Sequence, residues 1–562
     1  MSITSLPDEI IAKIVIYADR TEYDDILLIC KQIRSAISLN NHLWKKICLH
    51  TWYLWHNHQP GTTDSDENYN FVHGNERFES STDCFWRKIY IERSIKDFEL
   101  KRVLSRTICN QSDRQKLLRD ALNLGPDVYE KLKQKVVECE KDGTQTYDLT
   151  YLYYGTRVVE KMHRQFIQIP KWRSLLKRIE EGQDDLLMMD AAKIICDNYS
   201  LNEKQQIDDR INDYVRDVTR RLTTPDPSDR EVLETIMEVI SDAGFNPTGF
   251  HYYAIQNSYI DQVLETKCGI PITLSTIFQC IASHFNIHLQ MIASPAHFIL
   301  KYHDPTSERN SIYIDSFHKL LSDQSQAARN LAALLQTSAE ETVRFLKGSS
   351  MKIVAQRMLN NILSNMKDKW SRNPTFNERM VSILTLYVEL EEKNLHLRTL
   401  LYECNKLLED FDGAMEQLRY FNRAEINPVH FEVPSNYTNV PEACPRPSTE
   451  NDPVKFQIGQ IMTHKKYNYV GVIYHYDSEC NMSEEWQIEM GVSKLSHGAK
   501  QPFYSVLVHN NGMGTYVAQE NILIGEPVLV VNDEIGRHFC KFDREKGRYV
   551  PNKYSLMQYP DL

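Results

Sequence analysis

The segment from Gly269 to Tyr302, GIPITLSTIFQCIASHFNIHLQMIASPAHFILKY, most constrains the fold of this chain. It contains no Asp, Glu or Arg, and Lys301 is its only Lys. A stretch this apolar belongs either in a membrane or in the core of a domain. Polar side chains interrupt its middle, and prolines stand at 271 and 295, which no membrane-spanning helix would favour. The polar residues are His284, Asn286, His288 and Gln290. The segment therefore predicts buried core.

The same segment divides into one helix and two strands. From Pro271 onward, apolar residues recur at helical spacing and predict a helix with one buried stripe. HLQMIAS and HFILKY predict strands, and NSIYIDSF (310–317) predicts a third. The expected order is helix, strand, strand with His297, strand with Asp315.

This order and the motifs GIPITLS, SPAHFILKY and YIDSF resemble the SirB-type transglutaminase-like proteins, whose core has the papain-type α+β fold. In such a fold, the resemblance implies a Cys at the helix N-terminus, where the helix dipole and a nearby His stabilise the thiolate. An acid on the neighbouring strand would orient that His. His297 and Asp315 occupy the positions of base and orienter.

The nucleophile that the resemblance implies is missing. The first turn of the helix, PITL, contains no thiol. Cys280 lies about 13 Å further along the helix, at about 1.5 Å per residue. Cys268 precedes the helix and is a weak nucleophile candidate. We therefore expect no catalysis, and we expect His297 and Asp315 to be a structural pair, the vestige of a site.

The N-terminal 50 residues have a helical pattern with three short motifs, LPDEII, DILLIC and LW. Together and in this order they resemble the F-box, the module that docks on the Skp adaptor of cullin-type ubiquitin ligases; Ile33 stands where the module usually carries a tryptophan. A module this short cannot bury its whole apolar face alone. The resemblance implies that a set of mostly apolar residues binds the adaptor. These are Leu6, Pro7, Ile10, Ile11, Ile14, Leu27, Leu28, Leu43 and Trp44.

The middle of the chain is predicted to be mostly helical. Residues 51–165 are predicted as a helical spacer, and 166–325 as the transglutaminase-like domain. Residues 326–426 carry the small and large apolar residues of tetratricopeptide-like helix pairs. A proline-bearing linker follows at 427–453.

The C-terminal region changes to short aromatic and β-branched runs, which predict a small antiparallel β-barrel over 454–525. FQIGQIMTHKKYNYVGVIYHYD and the later GTYVAQENI resemble the YccV/HspQ-type domain, a name associated with hemimethylated DNA. Residues 526–562 are rich in aromatic side chains and are expected to pack on the barrel.

A nucleic-acid role for the barrel is not favoured by its charge. The region contains five Lys, no Arg and six acidic residues, whereas phosphate binding depends on clustered Lys and Arg. One small basic and aromatic patch, His464, Lys465, Lys466 and Tyr467, is a possible recognition surface. A protein-binding barrel is the favoured interpretation.

Composition sets the remaining bounds. The 562 residues include 12 Cys without a CxxC pair, which predicts neither disulfides nor a structural zinc, and we expect no metal or cofactor. Such cysteine usage is typical of the cytosol or nucleus, and the acids and proline of MSITSLPDEII are not the pattern expected of a signal sequence. The predicted fold class is multidomain α+β: helical F-box, papain-type transglutaminase-like core with tetratricopeptide-like helices, and C-terminal β-barrel.

The order of these three modules resembles one group of F-box only proteins. It implies a non-catalytic substrate receptor of a Skp–cullin–F-box ubiquitin ligase. The expected partners are the Skp adaptor, through it the cullin and RING subunits, and protein substrates. Two alternatives stay open: a cysteine- or serine-type hydrolase or amidotransferase, and a DNA-binding module acting through the barrel.

Overall fold

The structure is a computed structural model. It describes Trp44, Cys48 and residues 85–109, 114–141, 148–183, 188–197, 205–247, 254–304, 311–366, 374–408, 410–423, 454–510 and 514–560. Two compact units divide the chain. The first takes in residues up to Met162 and those from Pro434 onward, and the second runs from His163 to Val433.

The N-terminal part of the first unit is helical in its described residues. The helices are α1 (Phe85–Cys109), α2 (Arg114–Asn123), α3 (Tyr129–Lys141) and α4 (Leu149–His163). The Asp148 carboxylate accepts the backbone N–H groups of Thr150 and Tyr151 at 2.8 and 3.3 Å, which satisfies two free donors at the start of α4.

Six further helices lead into and include the helix predicted from Pro271. They are α5 (Ile169–Glu180), α6 (Met188–Cys196), α7 (Gln205–Arg221), α8 (Asp229–Asp242), α9 (Ile260–Thr266) and α10 (Pro271–Ser283). Two-residue strands β1 (Asn246–Pro247) and β2 (Cys268–Gly269) pair in parallel just before α10.

Helix α10 is more deeply buried than its sequence pattern predicts. Pro271 occupies its first turn, where the missing N–H costs nothing. Every residue from Pro271 to Ala282 is buried, including four polar ones. The prediction of one buried stripe is wrong, because α6, α7, α8 and the sheet surround this helix.

An antiparallel sheet of four strands follows α10, in the order β3-β4-β5-β6. The strands are β3 (Leu289–Ile292), β4 (Ile299–Tyr302), β5 (Ile312–Asp315) and β6 (Leu320–Ser322). The first three match the predicted strands, and β6 is an addition. Leu300 and Ile314 share a hydrophobic cluster with α10, whereas Ile299 and Tyr313 pack into another cluster on the opposite face. Both faces are covered, so all residues of β4 and β5 are buried.

The helices after the sheet complete the second unit. They are α11 (Gln324–Leu335), α12 (Ala339–Thr342), α13 (Met351–Met366), α14 (Pro374–Leu390), α15 (Leu395–Leu407) and α16 (Phe411–Arg423). Helix α11 packs on the outer face of the sheet through Ala328 and Leu331. Val354 and Leu384, from α13 and α14, lie in the same core as Ile277 of α10. These helices therefore extend the core of the domain before them.

The C-terminal region forms an antiparallel sheet of five strands, in the order β10-β9-β8-β7-β11. The strands are β7 (Ile461–His464), β8 (Val470–Asp477), β9 (Phe503–Val508), β10 (Gly514–Ala518) and β11 (Ile522–Ile524), with α17 (Glu484–Glu489) between β8 and β9. Strands β10 and β11 are both edges, so backbone pairing does not close the predicted barrel. Gly471 leaves room for strand β9: a Cβ there would lie 2.4 Å from the Val506 side chain.

The final residues pack on this sheet and on α4. They form α18 (Ile535–His538), the hairpin β12 (Phe539–Asp543) and β13 (Arg548–Pro551), and α19 (Lys553–Gln558). Phe539 and Tyr549 share a core with Val472 of the sheet. The Thr150 hydroxyl of α4 donates to the Phe539 carbonyl at 3.0 Å, and Leu149 of α4 lies in the same core.

None of the helices in the described ranges has the length and apolar character needed to cross a membrane.

Candidate functional site

The register of two strands brings His297 and Asp315 together. Strands β4 and β5 are antiparallel, with Leu300 opposite Ile314. His297 lies just before the first residue of β4, and Asp315 is the last residue of β5. Because the two strands are antiparallel neighbours, both residues lie at the same end of this strand pair. The His297 Nε2 atom is 2.7 Å from the Asp315 Oδ2 atom. Both residues are buried, at 5% and 9% exposure.

A third residue, His318, completes the cluster and was missed by the sequence analysis. Its Nδ1 atom also lies 2.7 Å from Asp315 Oδ2. The other carboxylate oxygen, Oδ1, accepts the backbone N–H groups of Phe317 and His318 at 3.1 and 3.0 Å. This is an Asx-type turn, which curls the chain back so that a side chain three residues later meets the carboxylate. The spacing of Asp315 and His318, three residues apart, is the sequence pattern from which this contact could have been predicted.

The cluster keeps its carboxylate in the charged form. Burial by itself would raise the pKa of Asp315, but the hydrogen bond and positive charge of His297, together with the hydrogen bonds from His318, outweigh it and lower that pKa below its usual range.

The candidate nucleophiles do not join this cluster. In the described part of the chain, no hydrogen bond links Cys268 to His297, Asp315 or His318; its backbone N–H bonds to the Thr266 hydroxyl at 3.3 Å. Burial raises the pKa of the Cys280 thiol to about 11, which leaves almost no thiolate near neutral pH.

The hydroxyl groups near the start of α10 also form hydrogen bonds with groups outside the cluster. Thr273 donates to the carbonyls of Asn257 and Ile270, both at 2.9 Å. The Ser275 hydroxyl pairs with that of Ser316 at 2.8 Å. His297 and Asp315 are therefore paired, and within the described ranges none of these candidate nucleophiles is hydrogen-bonded to either of them.

A cavity of about 260 Å³ lies beside the cluster, between β5 and α11. His297, Asp315 and His318 line one side of it, and apolar residues of the sheet and α11 line most of the rest. The donor atoms of the three residues lie within 4.8 Å of one another, so these residues could hold a metal ion.

The proposed patch on the barrel lies at the turn between β7 and β8. His464 is buried, and its Nδ1 atom accepts the backbone N–H groups of Lys466 and Tyr467 at 3.1 and 3.2 Å. The Lys465 ammonium donates to the Glu520 carbonyl. Tyr467 is exposed. His464 and Lys465 thus stabilise the turn, and recognition through this patch stays a prediction.

Most of the predicted adaptor-binding residues, Leu6, Pro7, Ile10, Ile11, Ile14, Leu27, Leu28 and Leu43, lie outside the described residues. Trp44 is described and buried, with its ring centroid 4.9 Å from that of Tyr90 in α1. Its ring therefore packs inside the protein, and a part in adaptor binding stays a prediction.

Comparisons with known proteins match this organisation. Three family models match in order: an F-box-like model over 3–50, a transglutaminase-like superfamily model over 205–360, and the model "hemimethylated DNA-binding protein YccV like" over 454–546. The human F-box only protein 21 is 27% identical over 463 residues, covering 74% of this chain and 71% of the relative. The chain is similar to F-box only protein 21. The predicted resemblance and fold class are confirmed.

Two further relatives cover less of the chain. The mouse F-box only protein 21 is 29% identical over 59% of this chain and 55% of its own length. A UPF0162 protein of Xylella fastidiosa is 26% identical over 24% of this chain and 47% of its own length. No solved structure matches significantly. The transglutaminase-like match extends to residue 360, within α13, whose residues lie in the same core as α10.

Proposed function

We propose that this chain is the substrate-recognition subunit of a Skp–cullin–F-box ubiquitin ligase. The observation that carries the proposal is the F-box-like match at residues 3–50, in a chain similar to F-box only protein 21 over 74% of its length. The F-box would bind the Skp adaptor, which connects it to the cullin and RING subunits in the cytosol or nucleus. The later domains would hold the protein substrate.

In this proposal the chain makes and breaks no covalent bond. Its contribution is proximity, because a tethered lysine meets the ubiquitin thioester at a high effective concentration. Inactivity of the transglutaminase-like domain is part of the proposal. It is supported by the site geometry, in which His297 and Asp315 are paired and Cys268 is bonded to neither.

Co-purification with recombinant Skp adaptor tests the proposal. We expect the full chain to form a complex that Leu6→Asp/Ile10→Asp abolishes, because two carboxylates would have to be buried in an apolar interface. The matched control is Ile488→Asp/Ile524→Asp, which places the same charges at two residues exposed on the C-terminal sheet unit, and it should retain the complex. A chain that binds no adaptor, or equal binding by all three proteins, would rule the proposal out.

A further inference from the structure

The cluster at the end of β5 has the ligands of a transition-metal site. We propose that His297 Nε2, Asp315 Oδ2 and His318 Nδ1 together bind a divalent transition-metal ion, with Zn²⁺ as the best match. The inference is independent of the proposed ligase function and concerns the second unit alone. It also differs from the prediction of no metal, which was based on cysteine spacing and left His318 out.

The donor set decides which ions the site would take. Two imidazole nitrogens and one carboxylate oxygen are ligands typical of zinc and other first-row transition metals. Ca²⁺ and Mg²⁺ prefer oxygen ligands throughout and are poor matches. Three protein ligands leave a coordination position open on Zn²⁺, as in zinc sites that bind water or a small ligand.

The carboxylate is already oriented for such a role. Two backbone N–H groups hold Asp315 Oδ1 at 3.1 and 3.0 Å, so that Oδ2 faces both imidazoles. The backbone of His297 is held as well: its N–H donates to the Ser294 carbonyl, and its own carbonyl accepts the Ser294 hydroxyl. Hydrogen bonds of this kind around ligands raise metal affinity by orienting them in advance.

The donor atoms would have to rearrange to bind an ion. The two nitrogen–oxygen distances are 2.7 Å, whereas tetrahedral ligands at zinc-binding distances stand about 3.3 Å apart. Each imidazole therefore has to move by roughly half an ångström away from the carboxylate oxygen, and the two ring nitrogens, which lie within 4.8 Å of each other, have to approach one another. The proton of each hydrogen bond leaves the ligating nitrogen as the ion takes its place. The side chain of His318 is 40% exposed and can make most of this movement.

The surroundings also favour a cation. Among the residues that line the adjoining cavity there is no Lys or Arg, so no fixed positive charge neutralises Asp315 there. The cavity, of about 260 Å³, gives access and room for a further small ligand. Its wall is mostly apolar, with Ile299, Leu331 and Leu334 near the cluster, which strengthens the attraction between ion and carboxylate by excluding water.

The test is metal binding by the full chain after removal of metal with a chelator. Zn²⁺ is titrated calorimetrically, and Co²⁺ is used as a probe whose visible absorption reports nitrogen and oxygen ligation. The variants are His318→Gln and Asp315→Asn. The matched control is His396→Gln, which removes an exposed histidine at the start of α15, away from the cluster in sequence. Circular dichroism confirms that each variant is folded.

We expect the wild type and His396→Gln to bind one more tight ion per chain than either cluster variant, and to show a Co²⁺ spectrum that the cluster variants lack. The difference between proteins is the readout, because the chain has 19 histidines that can bind ions weakly. Equal stoichiometry and equal spectra in all four proteins would overturn the proposal and leave the cluster as a purely hydrogen-bonded one. Because His318 is partly exposed, His318→Gln remains informative if Asp315→Asn fails to fold.

Discussion

The two compact units each contain a buried carboxylate with several partners, but the partners differ. In the second unit, Asp315 meets two imidazoles beside a cavity. In the first, Glu534 accepts the Tyr153 hydroxyl at 3.2 and 3.0 Å and pairs with Arg157 at 3.4 Å and Arg537 at 3.5 Å. A guanidinium keeps its charge at every physiological pH and does not bind metals. Glu534 is therefore a structural contact, whereas the partners of Asp315 can also bind an ion.

The contact at Glu534 also shows how the first unit is assembled. It joins α4 to residues almost four hundred positions later in the chain. Gly536 lies beside it, and a Cβ there would stand 2.1 Å from the Leu149 carbonyl oxygen. The C-terminal residues thus approach α4 closely, with paired polar groups at the contact. A buried polar group therefore indicates a binding site only when its partners can also bind a ligand and a cavity gives that ligand room.

The largest effect is expected for Glu534→Ala. It removes the acceptor of the buried Tyr153 hydroxyl and the carboxylate that pairs with Arg157, and breaking a buried ion pair costs about 3 kcal/mol. Chemical denaturation followed by circular dichroism should show the first unit unfolding at lower denaturant concentration. Glu526→Ala, which removes an exposed carboxylate from the same C-terminal region, is the control and should have no measurable effect. Equal stability of the two variants would contradict the structural role of Glu534.

A smaller loss is expected for Asp315→Ala in the presence of a chelator. The two imidazoles and two backbone N–H groups lose their acceptor, but His318 is partly exposed and can bond to water instead. We expect the free energy of unfolding of the second unit to fall by about 2 kcal/mol.

The matched control for that measurement is Asp209→Ala, which removes an exposed carboxylate from α7. A change at Asp315 no larger than at Asp209 would show that the cluster contributes nothing to stability without an ion.

The smallest effect is expected at Glu520, a carboxylate that is more exposed than Glu534 and Asp315. Burial would raise its pKa, but hydrogen bonds from Ser496, His497 and Gln501 lower it to about 2. A carboxylate whose pKa is lower in the folded state stabilises the fold above its unfolded pKa and loses that contribution as pH falls. The C-terminal sheet should lose about 1 kcal/mol between pH 5 and pH 2, since solvent screening reduces the gain.

Thermal unfolding over that pH range, compared with Glu520→Gln, measures this contribution. The variant should be less stable at pH 5 and should differ little from the wild type at pH 2. A constant difference over the whole range would show that Glu520 stabilises the sheet by packing and not by its charge.

The sequence predicts helices and strands whose residue pattern is local, and the contacts between elements that follow one another along the chain. Apolar spacing places the helix from Pro271, and alternation places three strands, so the meeting of His297 and Asp315 across neighbouring strands follows. The complete burial of α10 cannot be predicted from its own sequence, because it results from the tertiary packing of α6, α7 and α8 around this helix. Thr276 and Gln279 appear polar in the sequence yet are buried, where they hydrogen-bond to the Ile272 and Leu289 carbonyls.

Contacts that depend on distant residues were beyond the sequence patterns. No periodicity connects Thr150 with Phe539 or Tyr153 with Glu534, because such contacts depend on how two segments dock. His318 was missed for a local reason: a turn held by the Asp315 carboxylate, and not a strand, brings its ring into the cluster.

The central claim, a receptor that works by binding and not by chemistry, is tested most directly in a reconstituted ligase. Purified Skp adaptor, cullin, RING subunit and conjugating enzyme are combined with the full chain, and ubiquitination of the chain's own lysines is followed. We predict that Leu6→Asp/Ile10→Asp abolishes the reaction, since tethering is lost, and that Cys268→Ser/His297→Gln leaves its rate unchanged. Full activity of the first variant, or loss of activity in the second while adaptor binding is intact, would contradict the account.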